Sequence, residues 1–180
     1  MLIALCGKAG AGKDTVGSIL QRNYNFHLDA FAKPLKGMLA VVGILEPARD
    51  RKELPLPGFD FSYRKAAQLL GTEWGRAVDE NLWAKLAGNR YRQSDSMHYA
   101  FTDLRFMNEF QMLKANYGCV VKVVGRQNDV TDNASHASEV GIPDHLADYL
   151  IVNDGTIEQL ADKVEELAAT LSIEKYYNQH

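Results

Sequence analysis

The chain has 180 residues, of which 46% are hydrophobic and 24% charged, proportions typical of a soluble globular protein with a sizeable core. Its formal net charge of -3 argues against a general binder of nucleic acid polymers or membrane surfaces, because such proteins are usually basic. No apolar run is long enough to span a membrane, and the first residues lack a secretory signal pattern, so we expect a cytoplasmic protein.

A glycine-rich stretch follows the first apolar run, Leu2 to Cys6, and precedes a helical pattern. Its members are Gly7, Lys8, Ala9, Gly10, Ala11, Gly12, Lys13, Asp14 and Thr15. Strand, loop and helix in this order are the context in which G-x-x-x-x-G-K is a phosphate-binding P-loop, rather than a plain turn. Glycines let several backbone N–H groups point at one phosphate, the helix N-terminus adds positive charge, and the lysine supplies a cation. We therefore predict a nucleoside triphosphate here.

The residue after the loop lysine departs from the usual P-loop. Many such loops have a Ser or Thr at this place to ligate Mg²⁺, whereas this chain has Asp14, followed by Thr15. This ending predicts that Mg²⁺ is held largely by phosphate oxygens and water, with Asp14 or Thr15 in contact directly or through water. The alternative is that Asp14 only complements the helix dipole.

Strands and helices alternate along the rest of the chain. After residues 2–6, strands are predicted at 25–28, 98–102, 119–124 and 149–152, and helices at 33–42, 63–70, 82–90 and 106–115. A last helix begins with a capping box formed by Thr156 and Gln159. This order predicts an α/β fold of three layers, α/β/α, with a mainly parallel five-stranded sheet. The loops after the five strands should meet at one rim, where ligands of such sheets bind.

Two segments and two cysteines complete the outline. Residues 46–61 hold three of the five prolines and a run of charges, which predicts a surface excursion. Residues 125–146 form a polar segment, and residues 71–76 are expected to separate two helices. Cys6 and Cys119 lie in apolar strands, so we expect core residues rather than a disulfide or a metal site.

Polar residues at the predicted strand ends are candidates for phosphate chemistry. Asp103 ends the third strand, where a P-loop protein places a Mg²⁺ partner, and Arg105 beside it is suited to clamp a phosphate; the alternative is a helix cap with a solvated arginine. Arg126 follows the fourth strand and can neutralise a phosphoryl group in flight, unless it is a solvated surface residue. Asn153 and Asp154 follow the last strand and line the ATP base in this interpretation, or else form only a turn.

A second group of residues is suited to an anionic substrate. Lys33 and Lys36 are three residues apart and share a helix face, although a solvated basic face is the alternative. Arg64, Gln68 and Arg76 are candidates for a second phosphate-and-base pocket.

Together these residues resemble the phage deoxynucleoside monophosphate kinases, which are relatives of adenylate kinase within the P-loop fold. The matching stretches are residues 7–15, 31–36, 68–73 with Arg76, 102–109, 136–139 and 153–156. The resemblance implies transfer of the γ-phosphoryl group of ATP to a dNMP, giving ADP and a dNDP, with Mg²⁺. It implies one kinase domain over residues 1–180, an NMP-binding excursion at 46–61 and a lid-like segment at 125–147.

The resemblance also implies roles at matching positions. Lys13 and the loop amides would bind the ATP phosphates, Arg105 would lie near the reacting phosphates, and Arg126 would begin the lid. Arg76 would meet the substrate, as would Glu139 in the stretch 136–139. The partners expected are small nucleotides, with no nucleic acid polymer and no membrane, in the host cytoplasm if the chain is phage-encoded. A homodimer is left open.

Other functions on this fold are alternatives. The nearest is a P-loop kinase for another phosphorylated metabolite or for a nucleoside. A regulatory NTPase switch would hydrolyse its nucleotide slowly without an acceptor, and the chain lacks the Asn-Lys-x-Asp signature of guanine binders. A nucleic acid motor is disfavoured by the acidic charge and the small size.

Overall fold

The computed structural model describes residues 1–125 and 141–176. These residues divide into two compact units, which we call the sheet unit and the helical unit. The sheet unit contains residues 1–30, 88–125 and 141–176, and the helical unit contains residues 31–87. Within the described ranges no helix is long and apolar enough to cross a membrane.

Five parallel strands form the sheet. They are β1 (Leu2–Cys6), β2 (His27–Asp29), β3 (Tyr99–Phe101), β4 (Cys119–Gly125) and β5 (Tyr149–Asn153), in the order β2-β3-β1-β4-β5. The central strand pairs on both sides, with Ile3 opposite Ala100 of β3 and Cys119 of β4. Because every pair is parallel, the carboxyl ends of all five strands lie at one rim, as the sequence predicted.

Seven helices accompany these strands in the described residues. They are α1 (Lys13–Tyr24), α2 (Lys33–Val41), α3 (Tyr63–Gln68), α4 (Gly75–Val78), α5 (Leu82–Arg92), α6 (Met107–Ala115) and α7 (Ile157–Thr170). A π-helical turn, Leu69–Trp74, connects α3 to α4, and short 3-10 turns occur at Arg49–Arg51 and Asp144–Leu146. Most predicted bounds are correct to within one or two residues.

Helices cover both faces of the sheet, which confirms the three-layer α/β/α prediction. Ile3 and Leu5 of β1 belong to a buried cluster that also contains apolar residues of α1 and α7. Helix α6 packs against β1 and β4, and all five residues of β1 are buried. Cys6 and Cys119 are both buried free thiols, which confirms their assignment to the core.

The final helix begins as its sequence predicted. The hydroxyl of Thr156 accepts the backbone N–H of Gln159 at 3.3 Å, and the Gln159 side chain accepts the backbone N–H of Thr156 at 2.9 Å. This reciprocal cap satisfies two N–H groups that the first turn leaves without partners in the helix. Leu160, Val164 and Leu167 then follow at helical spacing and are buried.

The helical unit has its own core, formed by Leu35, Leu39, Tyr63 and Trp83. Residues 46–61 are largely exposed, as predicted for a surface excursion. The break between the two predicted helices was placed too early, at residues 71–76, because α3, the π-helical turn and α4 form one continuous helical segment that ends at Val78, before α5 begins at Leu82.

The reason for this error is that the two glycines of the segment serve close packing. The indole N–H of Trp83 donates to the carbonyl of Gly71 at 2.6 Å, and a Cβ on Gly75 would lie 2.6 Å from the Trp83 ring. Glycine weakens a helix by about 1 kcal/mol, but here it lets the indole approach the helix backbone.

Candidate phosphate-binding site

The predicted P-loop follows the central strand and enters α1 at Lys13. Gly7, Gly10 and Gly12 all have positive φ angles, of 134°, 88° and 101°. A Cβ on Gly7 would lie 2.1 Å from the carbonyl oxygen of Val123, and one on Gly12 would lie 2.4 Å from Nδ2 of Asn153. Only glycine fits these positions, and the loop can therefore fold tightly over the carboxyl end of β1, as a phosphate cradle requires.

Lys13 lies inside the curve of this loop. Its Nζ donates to the carbonyl of Gly7 at 2.9 Å and to the carbonyl of Lys8 at 2.8 Å. Burial lowers the pKa of Lys13, and the positive charge of Arg105 lowers it further, whereas Asp14 and Asp103 act in the opposite direction. These influences show that the loop lysine shares one electrostatic neighbourhood with residues that follow β3.

Asn153 supports the loop from the neighbouring part of the rim. Its side-chain amide donates to the carbonyl of Ala11 at 3.0 Å, and Ala11 is buried. Asp154, the next residue, pairs with Lys163 at 2.8 Å on the surface of α7. That both residues line the ATP base stays a prediction, and the structure shows that the Asn153 amide holds the backbone of the P-loop.

The segment after β3 is fixed by a buried carboxyl group. Oε2 of Glu109, in the first turn of α6, accepts the backbone N–H of Arg105 at 2.8 Å and that of Phe106 at 3.0 Å. Leu104 is buried, and its N–H donates to the carbonyl of Leu5 in β1 at 3.1 Å. The backbone that carries Asp103 and Arg105 is thereby tied both to the central strand and to α6.

Glu109 has a strongly perturbed acidity. Burial raises its pKa to about 8, and the negative charge of Asp103 acts in the same direction. The N–H groups of Arg105 and Phe106 and the charge of Arg105 oppose this rise. Our sequence analysis did not identify Glu109, although an acidic residue in the first turn of a helix just after a strand end is a recognisable signal.

A second buried network surrounds Asp29, the last residue of β2. The carboxylate of Asp29 accepts hydrogen bonds from Nε of Arg90 at 2.7 Å, from the hydroxyl of Tyr99 at 2.6 Å and from the N–H of Ala30 at 2.8 Å. Burial pushes the pKa of Asp29 upward, but the hydrogen bonds from Arg90 and Tyr99 hold it below the ordinary value. Arg90 lies 61 residues from Asp29, so no local pattern indicates this pair.

The first turn of α1 holds the other predicted magnesium residues. Asp14 is exposed and Thr15 is half-buried. Within residues 1–125 and 141–176, no group of three or more His, Cys, Asp or Glu side chains is arranged to hold a metal ion. Asp14 and Asp103 nevertheless both influence Lys13, so the chain offers two carboxylates near the loop.

Most of the predicted substrate residues belong to the helical unit. Lys33 and Lys36 are exposed on the first turn of α2, and Lys36 pairs with Glu46 at 3.0 Å. Arg64, Gln68 and Arg76 lie on the helical segment that begins with α3. Arg126, Glu139 and most of the predicted lid, residues 125–147, fall outside the described residues.

Comparisons with known proteins identify the family of this chain. A family model described as deoxynucleotide monophosphate kinase matches residues 57–164, which is more than half of the chain. The chain belongs to the deoxynucleotide monophosphate kinase family. The match includes the segment after β3, with Asp103, Arg105 and Glu109, and it begins after the P-loop.

Two relatives of this family illustrate the range of similarity. The deoxynucleotide monophosphate kinase of Escherichia phage RB69 is 33% identical over 111 residues, which cover 59% of this chain and 45% of that protein. The deoxynucleoside-5'-monophosphate kinase of Escherichia phage T5 is 27% identical over 228 aligned positions, which cover 85% of this chain and 89% of that protein. The match therefore spans less than half the length of the RB69 relative.

A solved structure supports the fold of this family member. The dephospho-CoA kinase from Campylobacter jejuni superposes with a TM-score of 0.54 at 14% identity, covering 95% of this chain and 96% of that one. At this identity the likeness concerns the fold alone, and it agrees with the P-loop kinase architecture that the sequence predicted.

Proposed function

We propose that this chain is an ATP-dependent kinase that transfers the γ-phosphoryl group of ATP to a deoxynucleoside monophosphate, giving ADP and a deoxynucleoside diphosphate. The observation that carries the proposal is the glycine-lined loop after β1, whose Lys13 shares its electrostatic neighbourhood with Asp103 and Arg105. Family membership supplies the substrate class. The relatives named above are phage proteins, so we place the reaction in the cytoplasm of an infected host.

The loop provides the donor site in this proposal. Its backbone N–H groups and the N-terminus of α1 face the place where the triphosphate binds, and a half-buried lysine adds a full positive charge. Lys13 is already turned toward the loop, because it donates to the carbonyls of Gly7 and Lys8. Rotation of its flexible side chain exchanges these carbonyls for phosphate oxygens.

The residues present also fit Mg²⁺. Two carboxylates, Asp14 and Asp103, lie near Lys13, together with the hydroxyl of Thr15. Mg²⁺ keeps several waters and is often bound by one or two carboxylates plus substrate phosphates, so a full cage of protein ligands is unnecessary. When bound, this ion neutralises charge on the β and γ phosphates. We propose that Asp103 holds it, directly or through water, with Asp14 or Thr15.

The chemistry requires positioning more than proton transfer. The attacking group is a phosphate oxygen that is largely ionised near neutral pH, so a strong general base is unnecessary. The protein must instead bring two polyanions together and cancel their repulsion. Lys13 and Arg105 would serve the transferred phosphoryl group, joined by Arg126, while Glu109 fixes the backbone that carries Arg105.

The helical unit is the proposed source of acceptor contacts. It carries a concentration of cationic and amide side chains that the donor site does not use, namely Lys33, Lys36, Arg64, Gln68 and Arg76. Glu139 is the remaining candidate for a substrate contact. A closing segment over residues 125–147 would exclude water and so prevent loss of the γ-phosphoryl group to hydrolysis.

An acceptor panel tests the proposal. ADP release is measured with ATP and Mg²⁺ across the four dNMPs, the NMPs, nucleosides and phosphorylated metabolites. We expect turnover with at least one dNMP, its loss in Lys13→Ala, and its retention in Lys175→Ala, whose lysine pairs with Glu165 far along the chain from the loop. Turnover only with another acceptor, or hydrolysis that no acceptor stimulates, would refute the assignment.

A further inference from the structure

The helical segment from Tyr63 to Val78 has an unusual burial pattern. Its buried or half-buried side includes Tyr63, Ala67, Gly71 and Gly75, and an exposed row contains Lys65, Leu69, Glu73 and Ala77. A regular α-helix has 3.6 residues per turn, so positions four apart drift by about 40° at each step. Over twelve residues this drift would carry a row a third of the way around the helix. The observed rows stay in place.

The π-helical turn Leu69–Trp74 accounts for this. The N–H of Gly75 donates to the carbonyl of Leu70, five residues earlier, instead of four. A π-helical turn takes nearly one residue more than an α-helical turn, roughly 4.4 residues. It therefore absorbs the drift and keeps residues at a spacing of four on one side of the segment. Such turns are rare and occur frequently at functional sites.

Between the buried and exposed rows lies a third row, which is half-buried. It consists of Arg64, Gln68, Thr72 and Arg76. Arg64 is ion-paired with Glu53, which precedes the segment. In a regular α-helix, Arg76 would lie about 80° away from Gln68, because eight residues exceed two turns. The π-helical turn brings it back to the side of Gln68.

A tertiary contact stabilises this geometry. The indole of Trp83 donates to the carbonyl of Gly71 within the turn at 2.6 Å, and its ring lies where a side chain at Gly75 would be. The indole thereby adds a hydrogen bond from the core of the helical unit to a carbonyl group inside the turn. The turn is thus built into the core of the helical unit rather than frayed at its surface.

We propose that the π-helical turn aligns Arg64, Gln68, Thr72 and Arg76 as one binding row for the nucleoside monophosphate acceptor. This inference rests on the proposed function and deepens it. The two arginines are twelve residues apart, at opposite ends of the row. A cation at each end, with an amide and a hydroxyl between, matches a molecule with a phosphate at one end and a polar base at the other.

Two length variants test whether the alignment of the binding row, and not only its residue types, determines the affinity for the dNMP. Deletion of Glu73 places Arg76 seven positions after Gln68, close to two α-helical turns, so a regular helix keeps both on one side. Insertion of one alanine after Glu73 turns Arg76 about a quarter of a circle away. We expect KM for the dNMP to stay within about threefold of wild type in the deletion variant and to rise at least about tenfold in the insertion variant, with KM for ATP unchanged in both.

Two point variants test the same proposal even if the deletion and insertion variants fail to fold. Thr72→Val removes a hydroxyl that no other role explains, and Glu73→Gln on the exposed row is its matched control. We expect KM for the dNMP to rise about fivefold in Thr72→Val and to remain unchanged in Glu73→Gln, with equal melting temperatures. Unchanged KM in Thr72→Val, or equal increases in folded deletion and insertion variants, would overturn the binding row. If wild type phosphorylates no dNMP, the proposed function itself fails.

Discussion

Oε2 of Glu109 accepts the backbone N–H of Arg105 at 2.8 Å, and this contact links a buried acid to the segment proposed to hold the reacting phosphates. Glu109 is 5% exposed, and its carboxyl lies near the negative charge of Asp103. Its protonation state therefore affects both the stability of the fold and the shape of the rim.

The raised pKa of Glu109 predicts a pH dependence of stability. The folded protein retains a proton that the unfolded chain releases between the ordinary pKa of 4.5 and about 8. Stability from this group is therefore present at low pH and falls as the pH rises through that window. In Glu109→Gln this slope disappears, because glutamine accepts the same N–H groups without titrating. Relative to pH 5, the variant should gain about 1–4 kcal/mol over wild type at pH 8.5.

Denaturant unfolding at the two pH values measures this difference. Asp103→Asn is the companion variant, because it removes the charge that helps to raise the pKa of Glu109, and it should reduce the slope without abolishing it. Parallel stability curves for wild type and Glu109→Gln would contradict the prediction.

Alanine should destabilise the protein much more at Gly7, in the P-loop, than at Gly43, which follows α2. In Gly7→Ala the new Cβ meets the backbone carbonyl of Val123 at 2.1 Å, and φ is 134°. Neither strand can move without breaking the sheet, so we expect a loss of about 3–5 kcal/mol in unfolding free energy. In Gly43→Ala, φ is 82° but no atom lies within 4 Å, so the loss should be about 1 kcal/mol. Similar losses in the two variants would be inconsistent with this packing.

Asn153 gives a prediction that distinguishes loop support from base recognition. Asn153→Ala removes the amide that donates to Ala11, which should loosen the loop and raise KM for the nucleotide donor about fivefold. Because the contact is to the loop backbone, the increase should be equal for ATP and for another purine donor such as GTP. A selective increase for ATP would instead support contact with the base.

The buried pair of Asp29 and Arg90 predicts a stability effect. Arg90→Ala leaves a carboxylate with 0% side-chain exposure without its cationic partner, which should cost about 3–5 kcal/mol. The pKa of Asp29 is held below its ordinary value, so wild type has this stability at neutral pH and loses it as the pH falls through the acid range. Arg92→Ala, two residues along on α5, is the control and should change stability little. Thermal unfolding at pH 7 compares the two.

The parts of the molecule that could be predicted are those encoded locally. The P-loop is a contiguous motif, and the rule for parallel sheets places Asp103 and Asn153 at its rim without knowledge of their neighbours. The capping box of α7 likewise depends on two residues three positions apart. Strand β2 was predicted two residues too early. Asn25 ends α1 with a positive φ of 54°, and only Phe26 lies between it and the start of the strand at His27.

The features that could not be predicted from the sequence depend on partners that are distant along the chain. Glu109 is important through burial and through its neighbour Asp103, and the sequence shows only an acid near a helix start. Arg90 meets Asp29 across 61 residues. The glycines at 71 and 75 indicate a break until Trp83 is placed against them. In each case a side chain from another part of the chain determines the local structure or the pKa, and the periodicity of the sequence does not indicate that contact.

The central position of β1 has a consequence for synthesis. Residues 2–6 are synthesised well before their partners in the sheet, which are residues 99–101 and 119–122. A wholly apolar strand with both edges unpaired must therefore wait until residues 119–122 have been translated. Such delayed, non-local pairing slows folding and exposes the nascent chain to aggregation, so yield in the cell should depend on chaperones that shield β1.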